Sequence, residues 1–274
     1  MIVSRQNRTL KDIRRLRRSK GEHALLEGAH LVAAALAAGL RLDTVLASPE
    51  FLDTPAGRAL AAKLPSPPLL AEAGLLANLA DADSPRGLLA VAHLPRAGVE
   101  ALPALAGGVY LYLDGLQDPG NLGALARVAE AAGAAGMALS PGTAHPNHPR
   151  ALRASAGSLL RLPVATGVDA EALDRHLDPP EPPRWIALVP RGGVALYDLP
   201  AAVLDDTTVL ALGAEGPGVS PALLARAGLR ITIPVAPPVE SLNATVAAAL
   251  TLFELRRRRA GRARPADGER ADRR

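Results

Sequence analysis

LDGLQDPGNLGALARVAEAAG, Leu113 to Gly133, passes from an apolar run through a turn rich in Gly, Pro and Asn into apolar residues at helical spacing. Strand, Gly-containing turn and helix in that order form one unit of an α/β sheet. VYLYL (109–113), GMALS (136–140), WIALV (185–189), TVLAL (208–212) and ITIPV (231–235) are short apolar runs separated by helical or loop segments. Continuous rather than alternating apolar runs suit strands covered on both faces, so the pattern predicts an α/β domain with a mostly parallel sheet. The turn itself has two readings. It cradles the phosphates of a nucleotide, or it places Asn121 and Arg127 beside something else.

A chain of 274 residues, 49% of them hydrophobic, can bury one large core or a small and a medium one, and two domains are expected. There is no run of about eighteen uncharged apolar residues, and MIVSRQNRTLKDIRRLRRSK lacks the apolar core of a signal peptide. Neither membrane insertion nor secretion is therefore expected. The absence of Cys fits a cytoplasmic protein and excludes thiol catalysis and Cys-ligated metal. Residues 1–20 hold eight Lys/Arg against one acid, and residues 256–274 hold nine Arg against three acids. The formal charge of +4 thus belongs to the two ends, over a body that is net −9. Basic ends suit a polyanion such as RNA, whose condensed counterions are released when phosphate is neutralised; the plain alternative is solvated tails.

Along the chain, KDIRRLRRSKGEHALLEGAHLVAAALAAG (11–39) reads as helix, with Leu25, Leu26, Leu31, Val32, Ala35 and Leu36 near helical spacing and Gly39 as a stop. TVLAS (44–48) and Leu88 to Ala92 read as strands. Between His93 and Gly108 neither a long period nor a strong charge pattern is present, which marks a domain boundary. The expected division is 1–95, with its basic N-terminal segment, as one domain, 96–107 as a linker, 108–259 as the α/β domain and 260–274 as a basic disordered tail.

Three strand-ending segments carry unusual chemistry: DGLQDPGNLGALAR (114–127), GAEGPGVS (213–220) and PVAPPVESLNATVAAAL (234–250). Ligands of α/β sheets lie at the carboxyl ends of strands. None of the three is a G-x-G-x-x-G or G-x-x-x-x-G-K-[ST] loop, so a phosphate cradle is disfavoured. Gly120 and Gly123 still allow a backbone to approach a partner closely.

These segments resemble, in order and at fitting separation, the three motifs of the SpoU (TrmH-like) branch of the SPOUT RNA 2′-O-ribose methyltransferases. Asn121, Gly123 and Arg127 match its N-x-G-x-x-x-R motif; Gly213, Glu215, Gly216 and Gly218 match its G-x-E-G-x-G motif; Glu240, Ser241, Leu242 and Asn243 match its E-S-L-N motif. RASAGSLLRLPV (153–164) resembles the family's S-x-G stretch before LPV, and HALLEGAHLVAAALAAG with ADADSPRGLLAV resembles a small α/β, ribosomal-protein-like substrate-binding domain. The likeness spans roughly residues 15–256. Two departures stand out: Val235-Ala236-Pro237-Pro238 replaces the usual Met and Gly before ESLN, and Ala244-Thr245 replaces Val-Ser after it.

The resemblance implies a C-terminal SPOUT domain whose mostly parallel sheet holds a deep trefoil knot, S-adenosylmethionine as cofactor, and a homodimer. Leu212, Gly213, Gly216, Ile233 and Leu242 are the implied cofactor positions; Asn121, Arg127, Glu215, Ser241 and Asn243 are the implied catalytic ones. Family proposals make the Arg a general base, but a guanidinium is almost never neutral at working pH. A cation that lowers the 2′-hydroxyl pKa while gripping a neighbouring phosphate is the better physical role for Arg127. Taken singly, each residue has a blander reading. Arg127 could be a solvated partner of Glu130, Asn121 a cap for a helix beginning near Leu122, and Ser241 and Asn243 caps for the helix through Arg258. Glu215, in a Gly loop, suits orienting Arg127 or a substrate group. His145 and His148 lack a nearby ligating carboxylate, so no metal is expected. The expected partner is RNA, ribosomal over transfer RNA by analogy. A non-catalytic RNA-binding protein and a Rossmann-type nucleotide enzyme are the rival readings.

Overall fold

In the computed structural model, which describes residues 1–16, 21–79, 87–177, 182–199 and 206–262, the N-terminal segment alternates short helices and strands. These are α1 (Arg8–Leu16), β1 (His23–Glu27), α2 (Ala29–Ala37), β2 (Leu42–Ala47), α3 (Pro49–Leu52), α4 (Pro55–Ala61), β3 (Leu69–Leu70), α5 (Ala73–Ala77) and β4 (Leu88–His93). The helix expected over 11–39 is therefore corrected: its middle is strand. The helical spacing holds from Leu31 to Ala35, where the periodic residues are buried. Upstream, Ala24, Leu25 and Leu26 are buried on both faces of a strand that pairs antiparallel with β4, from His23↔His93 to Glu27↔Leu89. Gly28, at φ 84, separates β1 from α2 in a conformation that Gly adopts without steric cost.

The sheet order is β1-β4-β2-β3. Leu10 and Ile13, the buried residues of α1, pack with Leu25, Leu46, Leu89 and Val91 of the sheet and with Leu75 and Leu76 of α5.

The second sheet uses β5 (Val109–Asp114), α6 (Pro119–Ala132), β6 (Gly136–Leu139), α7 (Pro149–Ala154), β7 (Val164–Thr166), α8 (Ala170–Leu177), β8 (Arg184–Leu188), β9 (Val194–Ala195), β10 (Thr208–Gly213), α9 (Pro221–Arg226), β11 (Leu229–Thr232) and α10 (Ala244–Arg262). Each of the five apolar runs named above contains a strand. ITIPV stops as strand at Thr232, two residues before Pro234, which has no N–H to donate to a ladder. The order is β7-β6-β5-β10-β8-β11-β9, and β6, β5, β10, β8, β11 and β9 pair in parallel.

By its contacts the chain forms two compact units. One comprises Met1–Ala97 with Gln117–Arg127 and Ala144–Val164; the other comprises Gly98–Leu116, Val128–Thr143 and the chain from Ala165 onward.

In the first unit Arg96 donates to Asn147 Oδ1 at 2.8 Å and to the Leu159 carbonyl at 3.0 Å, and Asn147 in turn donates to the Leu94 carbonyl at 2.9 Å. Burial pulls the Arg96 guanidinium down to about 10, still protonated at neutral pH. Arg153 meets Glu27 at 2.9 Å, with the Glu27 side chain 5% exposed.

In the second unit Tyr112 and Trp185 meet edge to face at 5.2 Å within the core. The Tyr112 phenol donates to the Val168 carbonyl at 3.0 Å, and burial, reinforced by the nearby Asp114 charge, pushes it up to about 12.

Candidate active site

Parallel strands deliver their carboxyl ends to one edge of the sheet, and three neighbours in the order, β10, β8 and β11, end around a single pocket. The β10–β8 register stops at Ala211↔Ala187, whereas the β10–β5 register continues to Gly213↔Asp114. Beyond Ala211 the β8 side of β10 therefore borders the pocket instead of a strand. The cavity, of about 390 Å³, takes Leu188 to Pro190 from the end of β8, Leu212 to Gly216 from β10 and its loop, and Ile233 from the end of β11. Glu240 to Ala244 close it from the start of α10. All five expected cofactor positions, Leu212, Gly213, Gly216, Ile233 and Leu242, line it together with Glu215, Ser241 and Asn243.

Backbone proximity builds the loop after β10. A Cβ on Gly213 would lie 1.9 Å from the Gly218 backbone, so only Gly fits where the loop folds back on the strand end. The Gly218 amide donates to the Ala214 carbonyl at 2.9 Å, and Gly216 and Gly218 have φ of 89 and 74. Asp114, at the end of β5, accepts the Ser220 amide at 2.9 Å and ties the far end of the loop to the sheet. Asn243 caps α10: its Oδ1 accepts the Thr245 amide at 2.8 Å. The capping reading thus holds for Asn243 without removing it from the pocket wall. Pro237-Pro238, one of the sequence departures, is joined by a cis peptide bond, and neither residue lines the cavity.

Asn121 and Arg127 lie on α6, in the other compact unit, and are not among the residues lining this pocket. The expected cap at Asn121 is corrected. The helix starts at Pro119, earlier than the apolar spacing suggested, because Asp118 supplies the cap: its Oδ1 accepts the Asn121 amide at 2.8 Å. Pro at the first helical position costs no hydrogen bond there and arrives with its φ already helical. Asn121 is thus the third residue of the helix, half-buried, and Arg127 is exposed two turns further on. Gly123 permits the expected close approach. A Cβ there would sit 2.1 Å from the Ala151 carbonyl oxygen, so α6 and α7 touch backbone to backbone.

The S-x-G stretch makes a tight turn after α7, in which the buried Ser155 hydroxyl accepts the Gly157 amide at 3.2 Å and Ala156 and Gly157 both have positive φ. His145 and His148 serve the preceding loop. His145 Nδ1 accepts the Asn147 amide, and His148 caps α7 by accepting the Arg150 amide. Among the described residues no group of three or more His, Asp or Glu could hold a metal ion.

Sequence reasoning missed Leu188, Val189 and Pro190, which line the pocket, and Asp114 and Asp118. The two aspartates carried a signal, an acidic residue at a strand end and an Asp before Pro at a helix start. The β8 residues carried none, since strand order is not written in local spacing.

The basic C-terminal segment divides. Arg256 donates to the Ala131 carbonyl, Arg258 to those of Tyr197 and Leu199, and Arg259 to those of Gly107 and Asp206, at 2.5–3.0 Å. These guanidinia hold the end of α10 to its own unit. The disordered tail expected over 260–274 lies mostly, from residue 263, outside the described residues.

The sequence model of the SpoU rRNA Methylase family matches residues 108–253, and that of the MRM3-like substrate binding domain matches residues 6–90. An uncharacterised tRNA/rRNA methyltransferase of Synechocystis is 33% identical over 265 residues, which is 93% of each chain. The Bacillus subtilis 23S rRNA (guanosine(2553)-2′-O)-methyltransferase RlmP is 31% identical over 268 residues, 93% of this chain and 98% of its own. The crystal structure of an AdoMet-bound rRNA methyltransferase from Sinorhizobium meliloti is similar with a TM-score of 0.81 at 28% identity, over 93% of this chain and 97% of that one.

Proposed function

The chain belongs to the SpoU rRNA methylase family, and we propose that it methylates a ribose 2′-hydroxyl of ribosomal RNA with S-adenosylmethionine as donor. One observation carries this reading: a single pocket at the carboxyl ends of three adjacent parallel strands gathers Leu212, Gly213, Gly216, Ile233 and Leu242 with Glu215, Ser241 and Asn243. The pocket suits the cofactor. Leu188, Leu212, Ile233 and Leu242 offer apolar surface to a flat base, and the absence of a side chain at Gly213 lets the loop fold back on the strand end and form the pocket wall. When bound, the cofactor supplies an electrophilic sulfonium methyl.

The chain's own residues must make a weak nucleophile reactive and hold it in line. Arg127, exposed on α6, carries a permanent cation that lowers the 2′-hydroxyl pKa and grips the adjacent phosphate. Asn121, on the same helix, positions the ribose. Glu215 orients its partners from the Gly loop, and Ser241 offers a hydroxyl beside the capped start of α10. Asn243 caps that helix through Oδ1 and lines the pocket. In this reading residues 1–95 bind RNA and 108–259 perform the transfer.

Purified full-length protein incubated with labelled S-adenosylmethionine and ribosomal RNA is expected to place label on ribose 2′-oxygens. Absence of both cofactor binding and transfer would overturn the assignment.

We assign the protein to the cytoplasm; no described helix is long and apolar enough to cross a membrane. A homodimer is also proposed, on a specific feature of α10. Its buried face presents Ala248, Thr251, Leu252 and Leu255 inward, while Val246, Leu250 and Phe253, at helical spacing, are 40–47% exposed. Such a stripe calls for an apolar cover, and a second copy of α10 provides one. Phe253→Asp is expected to shift the dimer to monomer in sedimentation, and an unchanged mass would remove this face from the interface.

A further inference from the structure

A second cavity, of about 580 Å³, lies wholly within the N-terminal segment, between α1 and the end of its sheet. Ile13, Leu16 and Val91 supply apolar surface. Over it, Asp43 fixes two flat groups: Oδ1 accepts Arg41 Nε at 2.8 Å, and Oδ2 lies 3.2 Å from His23 Nε2. His23 in turn meets His93 edge to face at 5.5 Å. On the opposite wall Asp12 and Arg15, one helical turn apart, are paired only loosely. Asp12 is 3.9 Å from both Arg8 and Arg15, and its side chain is 55% exposed.

This chemistry differs from that of a phosphate track. A groove for the RNA backbone alone would be lined by cations, and carboxylates in it would repel phosphate. A carboxylate beside a guanidinium, over apolar surface and flat stacking groups, matches a base edge. Guanine offers N1–H and N2–H as two adjacent donors, and O6 with N7 as two adjacent acceptors. A carboxylate takes the first pair and an Arg fork the second. Adenine and cytosine lack that double set. Unstacked bases of RNA are recognised in this way, stacked on His or Arg planes and bonded along their edges.

We propose that this cleft binds an unstacked guanine of the RNA, read by Asp12 and Arg15 and stacked against the His23 and Arg41 planes that Asp43 holds. The proposal rests on RNA being the substrate. It concerns a base held by residues other than those that line the cofactor pocket.

Fluorescence anisotropy of the full-length protein with the labelled heptaribonucleotides UUUGUUU, UUUAUUU and UUUCUUU tests it. Wild type is expected to bind the guanine heptamer roughly tenfold more tightly than either other, the scale of one good bidentate base contact. Asp12→Asn, which presents an amide N–H₂ to the guanine donors, should erase that preference and leave the uridine contribution. Arg15→Ala should weaken the guanine heptamer more than the adenine one. Cofactor affinity should be unchanged in both variants, which separates lost reading from lost folding. Equal affinity of wild type for the three heptamers, or a preference that survives Asp12→Asn, overturns the cleft. Methyl transfer to ribosomal RNA by the same preparation distinguishes the two levels: transfer without guanine preference sinks only the cleft, whereas neither transfer nor heptamer binding sinks the proposed function with it.

Discussion

Arg8, Lys11 and Arg15 are exposed on a nine-residue helix whose other face buries Leu10 and Ile13. Arg256, Arg258 and Arg259 lie near the end of a nineteen-residue helix and place their N–H groups on five backbone carbonyls of their own unit. By composition the two ends of the chain are alike. By geometry one end leaves its charge exposed to solvent, and the other uses its charge as internal bracing. A guanidinium already bonded to carbonyls would have to give up those bonds to reach a phosphate. Clustered Arg therefore says that charge is present, and only the partners say whether it is available.

Arg127 is the strongest test of this distinction, as an exposed arginine given a chemical task. Arg127→Ala is expected to reduce methyl transfer at least about a thousandfold, the scale seen when a preorganised charge is removed from a transition state. Melting temperature and cofactor affinity should stay at wild-type values. Near-normal turnover would mean that exposure alone does not mark a working arginine here, and would move the catalytic cation elsewhere.

Arg259→Ala should show the opposite profile. Its Nη2 also reaches Thr208 Oγ1 at 3.2 Å, and Thr208 is buried at the start of β10. Loss of these charge-assisted bonds is expected to cost about 2–3 kcal/mol in urea unfolding, with turnover per folded molecule unchanged. Retained stability together with weakened RNA binding would reverse the roles assigned to the two ends.

A smaller effect is expected at α1. Replacing Arg8, Lys11 and Arg15 together by Ala should weaken single-stranded RNA binding and flatten its salt dependence, by about 0.7 in the log–log slope for each phosphate that the helix no longer neutralises. Arg256→Ala should leave that slope unchanged. Equal slopes for wild type and the triple variant would show that α1 does not meet phosphate.

What the sequence disclosed depended on whether the cause was local. VYLYL and TVLAL read correctly as strands because a strand covered on both faces is continuously apolar. The second motif loop was legible because strand, Gly turn and helix follow one another directly, and the third because its polar ESLN run stands between an apolar strand and a long helix. HALLE misled because Leu25 and Leu26 also fit a helical period; its partner β4 lies more than sixty residues away, and only that pairing decides it. Leu188 to Pro190 went unnoticed for the same kind of reason. β8 lies between β10 and β11 in the sheet, although in sequence it precedes both. The brace at the C-terminal end was equally invisible, since its acceptors are carbonyls that every residue type carries.

The finest discrimination comes from Glu254, which sits inside the bracing end. It accepts both Arg257 Nε and Nη2 at 2.8 Å and Arg258 Nε at 2.5 Å, and those hydrogen bonds pull its carboxyl down to about 2. A carboxyl whose folded pKa lies below its unfolded value adds stability above the unfolded value, and that stability disappears as pH falls toward the folded one. The window here runs from about 4.5 down to about 2. Arg257 is 70% exposed, so solvent screening leaves the effect near 1 kcal/mol at neutral pH. Glu254→Gln should therefore unfold at lower urea than wild type at pH 7, and the gap should narrow steadily below pH 4.5. Added salt should shrink the gap at pH 7 but not alter the pH at which it begins to close. A gap that is constant down to pH 2 would show that it does not come from ionisation of Glu254, and would leave Arg257 as a solvated charge of the kind found on α1.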